Sequence, residues 1–251
     1  MGRFKDTIPV FLLFIFIWEA GVRIFNVSPQ VLPGPIAVAK GLYELIISGA
    51  LIKHSVASLF RVTWGYILAA ITSILLGVIL GLKKTLRRFL IPLVHFLRPI
   101  SPLAWIPLAM LWFGIGDPPA IFLIFLASFF PILLFTMQGV MSIKITYIRV
   151  AQNLDITGWK FFKVVVLPAA LPEIVTGLRI TLGTAWLVIV AAEMMAVKSG
   201  LGYLIIDARN SLNMTHVVAG MVAVGVIGLG LDNMMKKLEN LPEVQWKKFR
   251  R

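Results

Sequence analysis

The sequence predicts an all-α integral membrane protein of about six transmembrane helices. Three observations carry that prediction. Hydrophobic residues make up 59% of the 251 positions, a composition at odds with a water-facing surface. Several apolar runs reach the roughly 20 residues a helix needs to cross a hydrocarbon core of about 30 Å. The basic residues gather at the ends of those runs instead of spreading over a polar face, as membrane topology requires.

Continuous apolarity and flanking charge place the spans at 8–26, 56–82, 89–113, 118–143, 164–197 and 214–235. In the first, Arg3 and Lys5 precede an apolar run that Glu19 interrupts with no clean small-residue cleavage site, which reads as an uncleaved helix. After it, Leu32-Pro33-Gly34-Pro35 breaks the chain, and Ala37, Leu42, Leu45 and Ile46 then space like one face of a short interfacial helix that rests on the outer leaflet or receives a partner. Gly65, Ala69, Ala70, Ser73 and Gly77 in the second span, and Gly220, Gly225, Gly228 and Gly230 in the last, allow close backbone approach between helices or subunits. The fifth run is too long for a straight span, and Pro168 and Pro172 suggest an interfacial bend before the helix proper. The chain divides into a first helix with its external amphipathic segment (1–54), a transmembrane domain (55–240) and a basic tail (241–251) suited to anionic lipid.

Charge sets the orientation. With the N-terminus inside, sixteen of the 24 Lys and Arg residues fall on the cytoplasmic side, so both termini are expected there, in a multi-pass protein of the cell (inner) membrane. The formal charge of +13 is thus explained without nucleic acid. Cysteine is absent, which excludes thiol nucleophiles and zinc-thiolate sites. His54, His95 and His216 lie in separate segments without metal-ligand spacing.

Arg61, Arg98, Arg179 and Glu193 fall in or near the spans, where a charge must pair or face a wet cavity. Either Arg98 lies near an anion pathway, or Arg98 or Arg179 pairs with Glu193 or snorkels to an interface. Pro99, Pro102 and Pro107 free carbonyls that need partners or water, unless they simply bend a packing helix. The candidate pathway residues are Arg98, Ser101, Trp105, Trp112, Arg179 and Glu193.

The loop from Tyr147 to Pro172 is too long for a hairpin. Val150, Leu154 and Phe161 can share an apolar face flanked by Lys160 and Lys163, as in a helix lying on the membrane surface.

This loop, with Gly158, Trp159 and the run Leu167-Pro168-Ala169-Ala170-Leu171-Pro172, resembles the cytoplasmic coupling loop of binding-protein-dependent ABC importer permeases, the EAA motif. Arg149-Val150-Ala151 and Asp155 stand where the family usually has Glu-Ala-Ala and Gly. The resemblance covers roughly residues 30–240 and extends to His54-Ser55-Val56-Ala57-Ser58-Leu59, the run from Leu97 to Leu108, Trp112-Phe113-Gly114-Ile115-Gly116, Thr176-Gly177-Leu178-Arg179-Ile180, Ala191-Ala192-Glu193-Met194 and Gly200-Leu201-Gly202-Tyr203-Leu204. It is nearest to the permeases for nitrate, sulfonate, taurine and bicarbonate.

The resemblance implies a type I ABC importer permease fold, with a coupling helix at about Val150 to Phe162 docking on an ATPase. Its contacts would come from Arg149, Val150, Ala151, Leu154, Asp155, Gly158, Trp159, Phe162, Leu167 and Pro168. It further implies a homodimer, an extracytoplasmic substrate-binding protein and a small oxyanion as solute. No Gly-x-x-x-x-Gly-Lys-Ser/Thr loop is present, so no cofactor is expected in this chain, and ATP and Mg belong to the partner ATPase. The alternatives are a secondary transporter or channel independent of ATP, against which the docking loop speaks, and a membrane-embedded enzyme, for which paired carboxylates and His clusters are lacking.

Overall fold

The computed structural model describes the backbone of residues 2–239 and the side chains of residues 9, 10 and 12–239; the basic tail lies outside them. The elements in order are α1 (Gly2–Ile24), α2 (Pro35–Ile47), α3 (Ala50–Leu82), α4 (Lys84–Leu97), a 3-10 turn (Pro102–Trp105), α5 (Ile106–Phe113), α6 (Asp117–Met141), α7 (Ile145–Asn153), α8 (Gly158–Phe161), a π-helical turn (Phe162–Val166), α9 (Leu167–Ala196), α10 (Leu201–Asn210) and α11 (Met214–Glu239). Among the described residues there is no strand.

The expected count of six spans is not exact. Among the described residues, four helices are long and apolar enough to cross a membrane, namely α3, α6, the continuous helix from Gly158 to Ala196, and α11. A fifth span exists only if α4 and the 3-10/α5 segment are taken together, and these are bent by 85°. The cause is local: Pro99, Pro102 and Pro107 lack the N–H groups needed to carry a helix through this segment. The first expected span corresponds to α1, a 23-residue helix whose first side chains lie outside those described.

The fifth run does not bend away from its helix as expected. Gly158 to Ala196 form one helical unit of 39 residues. Pro168 is absorbed by the π turn just before it, where Leu167 N–H donates to Phe162 O, five residues back.

Helix α6 lies between α3 and α9. Along α3 a row of small residues faces α6: a Cβ on Gly65 would stand 2.7 Å from Ile121 O, one on Gly77 2.7 Å from Thr136 Cβ, and one on Gly81 2.5 Å from Val140 Cβ. Because low numbers meet low and high meet high, α3 and α6 run parallel. Ser73 Oγ donates to Phe129 O at 3.0 Å within this seam. On the other face of α6, Gly177 of α9 abuts Phe135, and Gly139 abuts Ala170 and Glu173, so α9 runs antiparallel. Close backbone approach is what lipid-embedded helices use in place of a hydrophobic driving force.

The opposite face of α3 exposes Val56, Phe60, Trp64, Ile67, Ile71 and Leu75. A continuous apolar stripe of this length is stable only against hydrocarbon or another chain. Helix α2 buries Val38, Gly41 and Leu45 against α10 and α11, whereas Ile46 of the expected interfacial face is exposed. The register is set by Gly41, which brings α2 onto Thr215 and His216 of α11.

Candidate functional site

The chain order of the helices brings three features together along one axis: a helical elbow at one end, a cleft at the α4–α5 break, and a buried charge network at the other end.

The elbow is α7, a turn and α8. Helix α7 stops where Ile156 N–H donates to Ala151 O at 2.9 Å and Asp155 N–H to Gln152 O at 3.0 Å, a paired C-terminal cap that requires a left-handed residue at position 155. Asp155 has φ 50°, a conformation that Asp and Asn tolerate better than other side chains, which accounts physically for Asp where the family usually has Gly. Gly158 follows with φ 59° and opens α8. The expected single helix over Val150 to Phe162 is therefore two helices joined at 154–157.

This geometry turns Val150, Leu154 and Trp159 outward, exposed by 50%, 64% and 76%. Arg149 and Gly158 are exposed too, while Ala151 is buried and holds the elbow to the bundle. Trp159 packs on Phe162 with ring centroids 4.9 Å apart. Val150 and Leu154 border an open cleft of about 450 Å³ between α7 and the head of the long helix, shared with Tyr147, Val164 and Pro168. Leu167 is partly buried beside it.

The cleft region at the helix break holds Arg98, Ser101, Trp105 and Trp112. Arg98 lines two adjoining cavities of about 360 and 370 Å³, and Trp105 lines the first. Trp105 and Trp112 lie 6.3 Å apart in an aromatic group that includes Phe122.

The other two pathway candidates are placed elsewhere. Arg179 binds Asp232 at 3.3 Å and also Glu239, tying α9 to α11. Glu193, with no exposed surface, pairs with Arg61 at 2.6 Å, neither with Arg98 nor with Arg179. Ser58 Oγ donates to Glu193 at 2.8 Å, and Gly202 N–H donates to it at 3.0 Å. Arg61, 2% exposed, also donates to Asp117 at 2.7 Å, to Ser199 O at 2.8 Å and to Ser199 Oγ. His54 Nδ1 accepts the N–H of Gly200 at 3.0 Å.

The loop closes over Glu193 because its glycines carry no side chain. A Cβ on Gly200, whose φ is 103°, would stand 2.2 Å from the Glu193 carboxyl carbon, and one on Gly202 would stand 2.1 Å from Val190 O. The network joins α3, the start of α6, the end of α9 and the start of α10.

The sequence did not reveal the partnership of Arg61 with Glu193 or the part of Asp117, which stands before Pro118 and Pro119 as a turn residue would. The available signal was that two opposite charges inside an apolar bundle must find each other. Among the described residues no group of three His, Asp or Glu side chains converges as a metal site.

Long apolar helices with an uncovered apolar stripe, broken by one sharply bent segment and ending in an exposed elbow, define a multi-pass membrane protein. The chain belongs to the family described as binding-protein-dependent transport system inner membrane component, whose sequence model matches residues 73–241; these are ABC importer permeases. It is 39% identical to the bicarbonate transport system permease protein CmpB of Synechococcus elongatus, over 90% of this chain and 84% of that one. It is 35% identical to the taurine transport system permease protein TauC of Escherichia coli, over 93% of this chain and 86% of that one. An inward-facing form of the MetNI methionine ABC transporter shares the fold, with TM-score 0.53 and 20% identity over 82% of this chain and 98% of that one.

Proposed function

We propose that this permease subunit moves a small anionic solute into the cytoplasm by alternating access, driven by a separate ATPase that docks on the elbow. The observation that carries the reading is the elbow itself: three large apolar side chains held outward by two left-handed residues at the head of a 39-residue helix. An exposed apolar cluster of this kind on a surface helix serves contact with another protein.

Helix α9 supplies the transmission. It leads from the elbow to Glu193, where the network couples it to α3, α6 and α10. A rigid-body displacement at one end is thereby passed to the other, since packed cores shift between discrete arrangements instead of deforming continuously.

Orientation is supported by charge. The parallel and antiparallel contacts put the ends of α3, α6 and α11 at the elbow end, and with them Lys83, Lys84, Arg87, Arg88, Lys144, Lys160, Lys163, Lys236 and Lys237. That end is the cytoplasmic one under the positive-inside rule, with both termini inside. The anion is supported by bicarbonate and by taurine, which carries a sulfonate group, as the solutes for which CmpB and TauC are named, and by Arg98 at the helix break. A second copy of the chain and an extracytoplasmic binding protein complete the assembly, the former supported by the uncovered face of α3.

The test is the substitution of Leu154→Ala or Trp159→Ala in the assembled complex. ATP hydrolysis continues while uptake falls at least tenfold. Normal uptake in both variants overturns the docking assignment.

A further inference from the structure

The geometry points to a specific oxyanion-binding site at Arg98, a deepening of the anion-import reading, on which it rests. Arg98 occupies the end of α4, where the chain bends, and its guanidinium makes no ion pair or hydrogen bond among the described residues. That sets it apart from the other two arginines in or near the spans, since Arg61 and Arg179 are each held by two carboxylates.

Arg98 is exposed on the single chain, at the break of a bent span, and a charge at membrane depth is retained where it meets a ligand or a wet cavity. Two open cavities lie beside it. No Asp or Glu lines either of them. Their other polar groups are few: Thr184 in one, His95 and Gln138 in the other, against walls that include Trp105, Phe130 and Leu187. A pocket that is mostly apolar with a small number of convergent polar groups is the form that small-ligand sites take.

The ligand class follows from the donors. A guanidinium offers two parallel N–H groups that match two oxygens on one edge of a planar or tetrahedral head, the geometry shared by bicarbonate, nitrate and alkanesulfonates. The Gln138 amide can add a neutral donor around such a head. The apolar walls accept a short carbon substituent.

The chain's lack of cysteine permits a direct test. Arg98→Cys is assembled with the ATPase and binding protein in proteoliposomes, with labelled bicarbonate, nitrate and methanesulfonate as probes. Loss of a charge-assisted contact lowers uptake of the carried anion by roughly 10- to 100-fold. Aminoethyl methanethiosulfonate, which returns a positive charge to the thiol, restores uptake; sulfonatoethyl methanethiosulfonate, which adds a negative one, does not. The carried anion slows both modifications, and wild-type complex treated alike is unchanged. Arg98→Lys, which keeps the charge and loses the fork, gives an intermediate rate.

Uptake by Arg98→Cys equal to wild type, a thiol inert to both charged reagents, or equal rescue by both would overturn the site while leaving the importer standing. A wild type that hydrolyses ATP and carries none of the three anions overturns the anion reading itself, and the site with it.

Discussion

Replacing Glu193 by Ala removes the acceptor at the centre of the buried network. In the intact chain its carboxylate takes hydrogen bonds from Arg61 at 2.6 Å, Ser58 at 2.8 Å and Gly202 N–H at 3.0 Å. The substitution strands these donors, and Arg61, only 2% exposed, cannot turn to water. Breaking a buried ion pair from one side costs about 3–5 kcal/mol. Asp117 remains on Arg61 Nε at 2.7 Å, so the lower end, about 3 kcal/mol, applies. For a chain of this size that corresponds to a melting temperature lower by roughly 6–12 °C. The assay is the fraction of purified complex remaining monodisperse after heating in detergent. Arg61→Met combined with Glu193→Met removes both charges, and because Asp117 is half exposed it can hydrate, so the double variant melts above Glu193→Ala. Melting of Glu193→Ala within about 2 °C of wild type, or simple additivity in the Arg61/Glu193 cycle, would refute the coupling.

Three further outcomes follow from the same geometry. Gly77→Leu drives a side chain into Thr136 and Leu133 O on α6, where even a Cβ would stand 2.7 and 2.9 Å away, and should abolish recovery of folded protein from membranes by size-exclusion chromatography. Asp155→Gly keeps the elbow's left-handed turn and changes thermal stability little, whereas Asp155→Val, forced to φ 50°, lowers it by about 1–2 kcal/mol and reduces ATPase recovery in pull-down. Leu212, at φ 56° and 84% exposed, is strained without compensating packing, so Leu212→Gly raises stability by roughly 0.5–1 kcal/mol in the same heating assay.

The membrane class and most of the helices were legible in the sequence because hydrocarbon imposes a length and an apolarity that show residue by residue. The small residues from Gly65 to Gly77 likewise announced a close helix contact, although only three-dimensional placement identifies α6 as the partner. The third span was misjudged because apolarity persists from 89 to 113 while the prolines interrupt the backbone, and hydropathy does not register missing N–H groups. The elbow was read as one helix because the apolar period runs through Leu154; the left-handed turn at Asp155 has no hydropathic signature, and Asp is a weaker signal for it than Gly. Glu193 had three arginines as possible partners at separations of 14 to 132 residues, and periodicity cannot choose among them. What chose was the antiparallel packing of α9 against α3 and α6, which brings the end of α9 to the start of α3.

The most direct measurement is uptake of labelled bicarbonate, nitrate and methanesulfonate into proteoliposomes holding this chain with its co-purifying subunits and binding protein, with and without ATP. The account predicts an ATPase in the purified complex and uptake of an anion that requires ATP hydrolysis and persists when ion gradients are collapsed. Recovery of the chain alone, with flux that follows an ion gradient and ignores ATP, would contradict it.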